Sequence, residues 1–92
     1  DIELPLSKND ITIFPNPAIG DYVTVSTSLD KNCEVQITVF SSDGRMVYCE
    51  KYKDAYGQIY LPVNLSGWES GIYTVNLVSQ NLNYSKSFAV IK

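Results

Sequence analysis

The sequence contains no histidine, and that absence removes the commonest metal ligand and the commonest general base together. Without histidine, and without a Gly-x-Ser-x-Gly elbow, none of its serines has the partner a nucleophile needs. Basic charge is thin as well. Seven Lys and Arg stand against ten Asp and Glu, for a net charge of −3, and the lysines are scattered. No basic stripe exists to neutralise phosphates, which argues against nucleic acid as a partner. No apolar run approaches the roughly 18 residues of a membrane-spanning helix, and no signal-peptide pattern is present, so an N-terminal export signal is expected to lie upstream. The carboxylates Asp21, Asp30, Asp43 and Asp54 fall where turns are expected, the usual place for aspartate to bond its own backbone, and EF-hand spacing is missing. Nothing in the chain assembles a cofactor, a metal or a small-molecule substrate site, and no enzyme is expected.

What is present is a small β-rich domain. The 92 residues suit a single domain, and 45% hydrophobic against 18% charged residues marks a globular chain rather than a disordered one. Residues Asp1–Asp10 are polar around Pro5 and read as a linker to an upstream domain or a short edge segment. The domain proper is expected over residues 11–92. Ile11–Phe14 reads as an edge strand halted by Pro15 and Pro17, which have no N–H to give a sheet ladder. Tyr22–Thr27 and Glu34–Val39 alternate with period two, as half-buried strands do. Asp43-Gly44 supplies a hairpin turn, and Arg45–Tyr52 returns from it. Lys53–Tyr56 reads as a loop, Gly57–Val63 and Gly71–Ser79 as further strands, Asn81–Asn83 as a turn, and Tyr84–Ile91 as the last strand.

Seven short strands at this spacing predict an immunoglobulin-like, seven-stranded antiparallel β-sandwich with Greek-key connections. The inward face is expected to comprise Val23, Val25, Val35, Ile37, Val39, Val47, Cys49, Ile59, Leu61, Val63, Tyr73, Val75, Leu77, Phe88 and Val90. Tyr73 stands where such sandwiches turn a tyrosine into the core to bond the preceding corner, with Leu65 and Trp68 as apolar plugs. The two cysteines are expected to be free thiols, with Cys49 buried. A hairpin centred on Asp43-Gly44 places Cys49 opposite Ile37 or Thr38, and Cys33 about four or five residues further along that strand. At about 3.3 Å per residue this exceeds the roughly 7 Å a disulfide tolerates between Cα atoms. Tyr48, Tyr52, Tyr56, Tyr60 and Trp68 admit a second reading, as an exposed strip for stacking on sugars, although tyrosine is also an ordinary strand residue.

Four segments in order carry a resemblance. They are Phe14-Pro15-Asn16-Pro17, then Val39-Phe40-Ser41-Ser42-Asp43-Gly44-Arg45, then Asn64-Leu65-Ser66-Gly67-Trp68-Glu69-Ser70-Gly71-Ile72-Tyr73-Thr74-Val75, then the lysine-bearing final strand ending at Lys92. Together they closely resemble the type A C-terminal sorting domain of the type IX (Por) secretion system of Bacteroidetes, over Ile11 to Lys92. The resemblance implies a cargo protein delivered to the periplasm, an outer-membrane translocon that recognises the domain, and a sortase that usually removes it. The cargo is then attached to the cell surface or released. By position, the resemblance implies recognition through Pro15, Asn16, Pro17, Gly44, Arg45, Gly71, Tyr73, Lys86, Phe88, Val90, Ile91 and Lys92. Phe14 stands where the family often has tyrosine, and Trp68 where it often has leucine. The start at Asp1 without methionine, and the strand that runs to Lys92, read as the end of a longer protein. The competing expectation is an adhesion or carbohydrate-binding sandwich at the end of an extracellular protein.

Overall fold

Period-two alternation of β-branched residues dominates the sequence, and the chain accordingly folds as antiparallel strands with one face turned inward. The structure, a computed structural model, describes residues 11–80 and 82–92, the side chain of Asp30 excepted. The predicted linker Asp1–Asp10 and residue Asn81 of the predicted turn lie outside the described residues. Among the described residues five strands follow in order: β1 (Thr12–Phe14), β2 (Tyr22–Ser41), β3 (Met46–Asn64), β4 (Gly71–Val78) and β5 (Asn83–Val90).

All-β, antiparallel architecture is as expected, but the seven-stranded count is not. Two expected strands merge into the 20-residue β2 and two into the 19-residue β3, and all five elements belong to one hydrogen-bonded sheet rather than two. The reason is local. Between Thr27 and Glu34 the chain has neither glycine nor proline to break an extended backbone, so it absorbs the lost alternation as register shifts between Leu29 and Val35. On β3 the expected loop Lys53–Tyr56 remains in the strand, with Asp54 (φ 59°) and Gly57 (φ 74°) taking the left-handed conformations that bend it. Asp30 and Asp54 therefore lie within strands, not at turns between them.

One edge of β2 carries β3 along most of its length. The other carries β1 opposite Thr24–Ser26 and β4 opposite Gln36–Ser41. β5 lies beyond β4, with Tyr73 opposite Phe88 and Gly71 opposite Val90. Just after β1, Ala18 forms a parallel bridge with Val90, which curls the sheet almost into a barrel. Inside it lie Val23, Val25, Val35, Ile37, Val39, Leu61, Val63, Tyr73, Val75, Leu77, Phe88 and Val90, all expected there. Ile11, Ile13, Ala18 and Leu29 are also buried, and Val47 and Ile59 pack against the core half-exposed.

Cys49 corrects the expected core. It is exposed, Cys33 is half-buried, and both thiols are free. Across the hairpin Cys49 pairs with Thr38 and not Ile37, and directly opposed residues share a face, so one residue of register carries the thiol outside. There the Gln36 amide (3.4 Å) and the Thr38 hydroxyl (3.8 Å) donate to its sulfur.

Candidate functional site

Proline ends β1, because neither Pro15 nor Pro17 can donate to a ladder; both peptide bonds, Phe14–Pro15 and Asn16–Pro17, are cis. The segment does not turn back into solvent. It lies against the last strand. The Ala89 N–H donates to the Asn16 side-chain oxygen at 3.1 Å. Ala18 N–H donates to the Ala89 carbonyl at 2.8 Å, and Ile91 N–H to the Ala18 carbonyl at 2.9 Å. Three bonds thus join Asn16 and Ala18 to the end of β5. Further back, the Lys86 ammonium donates to the Ile11 carbonyl at 3.1 Å.

The other flank of the terminal segment is tied to the corner before β4. Lys92 N–H donates to Ser70 Oγ at 2.8 Å, and its ammonium to the Leu65 carbonyl at 2.8 Å. The same ammonium stands 3.9 Å from the exposed Asp21 carboxylate, a surface pair that adds little. The corner is built on Tyr73. Its ring is buried 4.9 Å from Trp68 and 6.0 Å from Phe88 between centroids, Leu65 is fully buried, and the Tyr73 hydroxyl donates to the Glu69 carbonyl at 2.7 Å. That is the tyrosine corner expected from the sequence.

The β2–β3 hairpin lies beside this corner. Gly44, at φ 85°, takes a conformation costly to any residue with a Cβ, closing a turn in which Gly44 N–H donates to the Ser41 carbonyl and Ser41 N–H to that of Arg45. Asp43 accepts from the Ser41 hydroxyl and from Arg45 N–H. Those bonds, the Ser41 hydroxyl first, hold its carboxyl below the ordinary value of 3.8. Arg45 and Asp43 share a shallow depression with Glu69, Ser70, Gly71 and Tyr73.

The residues singled out from the sequence, Lys86 excepted, therefore gather toward one end of the molecule, in two kinds. Tyr73, Phe88 and Val90 are buried and build the corner and the core. Pro15, Asn16, Pro17, Gly44, Arg45, Gly71, Lys86, Ile91 and Lys92 are exposed. A Cβ added at Gly71 would meet only the Tyr73 ring, at an ordinary 4.0 Å, so packing does not require glycine there. Ala18, Ser70 and the Leu65 carbonyl complete the arrangement. Sequence reasoning missed them because two act through backbone atoms alone, and no side-chain pattern signals that.

The aromatic strip does not form as a unit. Tyr56 and Tyr60 are exposed, but Tyr48, Tyr52 and Trp68 pack against the core. Loss of water around Tyr48, together with a hydrogen bond to Tyr52, pushes its hydroxyl up to about 12. Among the described residues no group of three or more His, Cys, Asp or Glu side chains is placed to hold a metal ion.

Residues 12–92 match the family described as secretion system C-terminal sorting domain. The chain belongs to that family. A comparison with curated proteins finds no match. As a member, the domain is a C-terminal sorting signal of type IX secretion. It works with that machinery, and it marks its protein for passage through the outer membrane to the cell surface or the extracellular space. Sorting-signal domains are not a catalytic family.

Proposed function

We propose that the domain is a folded address read at the end where its motifs meet. Residues 11–92 form the address and residues 1–10 join it to an upstream cargo domain. The cargo crosses the periplasm, the outer-membrane translocon engages the exposed Pro15, Pro17, Gly44, Arg45, Gly71, Lys86, Ile91 and Lys92, and a sortase removes the domain. Cargo is then attached to the surface or released. Tyr73, Phe88 and Val90 serve the address from within, by holding that end in shape; a seven-stranded immunoglobulin-like sandwich is a finer description of the same shape, with the halves of β2 and β3 counted separately. The observation that carries this reading is the bond from Ala89 to Asn16, 73 residues apart in sequence, which makes one surface of the first and last motifs. The carbohydrate-binding alternative loses support with the broken tyrosine strip.

The decisive test is a cargo fused to this domain in a host with the type IX machinery. Removing Phe88–Lys92 should strand cargo in the periplasm, and display at the normal level would overturn the proposal. Because that truncation also strips Phe88 and Val90 from the core, Gly71→Ala accompanies it. This change fits the fold by the contact distances above, so export should fall severalfold while circular dichroism and melting stay as they were.

A further inference from the structure

The backbone groups of β5 alternate between its two edges, as in any antiparallel ladder. Both groups of Ala89, and the N–H of Ile91 just beyond the strand, point away from β4 and are taken by Asn16 and Ala18. By the same alternation Asn83, Ser85 and Ser87 also present theirs on that outward edge, where β5 pairs with no strand among the described residues. Among the described residues the outward edge is therefore half open and half covered. What covers it is peptide in the geometry of an added strand: Ala18 runs parallel to β5, receives from Ile91 and donates to Ala89, while the Asn16 amide oxygen takes the place of a backbone carbonyl. The cover cannot extend itself, because Pro15 and Pro17 have no N–H.

We infer that Asn16 and Ala18 are a releasable latch on the terminal strand, occupying the place of a partner's extended peptide backbone. Displacing the latch turns the two stretches into one continuous edge from Asn83 to Ile91, the length over which a receptor strand can add by main-chain bonding. Asn16 is then a positioning residue for β5 rather than a contact for the translocon. The inference rests on the export reading above only for the identity of the partner; the latch itself is tested separately.

Amide hydrogen exchange on the chain carrying Asn16→Ala reads the latch. Asn16 is exposed, and losing one hydrogen bond should speed exchange at Ala89 about fivefold, with Ile91 following to a smaller degree. Phe88 and Val90, bonded toward β4, should keep their rates. Asn16→Asp retains the acceptor oxygen and should restore protection at Ala89. Unchanged exchange at Ala89 in Asn16→Ala, or a uniform rise along β5, would overturn the latch. In the fused-cargo assay Asn16→Ala should be exported at least as well as the parent. Loss of export with β5 still protected from Asn83 to Phe88 would instead make Asn16 a direct contact and end the inference. Failure of the Phe88–Lys92 truncation to block export would strike the export reading alone.

Discussion

Two edge strands of the sheet, β3 and β5, are closed by different means. β3 pairs only with β2 among the described residues, so along its 19 residues one side faces no strand. It is protected by its own sequence. Glu50, Lys51, Lys53 and Asp54 are exposed there, Asp54 and Gly57 twist the backbone out of register, and Pro62 removes a donor. Charge, bulge and proline are the usual means of keeping an edge from pairing with another chain. β5 has none of these at its end. Its last residues are apolar, and their outward groups are covered by a separate piece of chain. An edge guarded by its own side chains is closed permanently, whereas an edge closed by a cover can be opened. The difference places the adaptable surface at β5.

The largest break in this comparison should come from Tyr73, whose ring packs on Phe88 of β5 and which pairs with it across the sheet. Tyr73→Ala should cost about 3–5 kcal/mol, as large-to-small changes in aromatic core residues do, read by denaturant unfolding. A melting temperature within a degree of the parent would remove the corner from the account. Next in size, Lys51→Val with Lys53→Val should leave stability within about 0.5 kcal/mol, as exposed substitutions usually do, yet cause concentration-dependent self-association visible by sedimentation. A strictly monomeric variant would show that β3 is guarded by its bulges alone.

The smallest effect concerns the hairpin beside the corner. The Asp43 carboxyl is held below 3.8 in the folded chain, so its ionised form contributes stability above that value, and the contribution is lost as pH falls through the lowered folded value. Asp43→Asn should flatten the acid limb of the melting profile below about pH 4 and leave the neutral region nearly unchanged. Identical acid limbs for parent and variant would show that the turn does not need the charge.

Much of this was legible in the sequence, for identifiable reasons. Alternation placed twelve core residues correctly, and the corner bond of Tyr73 was legible because its position near the start of a strand, the plugs Leu65 and Trp68, and the ring's own dual character all agreed. Strand continuity was not legible. The stretch from Ser28 to Cys33 loses its alternation without containing a breaker, and periodicity alone does not tell a bulged strand from a loop. Cys49 went astray by one residue of register, since the two admissible pairings across the hairpin put it on opposite faces. The latch was the least legible feature, because Ala18 contributes only main-chain atoms.

The parallel bridge between Ala18 and Val90 also has a mechanical meaning. With the segment from Ile11 to Ala18 and the strand β5 side by side and running the same way, a pull on residue 11 and an opposite pull on Lys92 draw the two segments past each other lengthwise. The three bonds of Asn16 and Ala18 are then loaded together rather than one after another, and the tie from Lys86 to Ile11 shares the strain. A tug at both ends therefore meets its stiffest resistance at the latch, while a partner approaching from the side can part the same bonds in sequence.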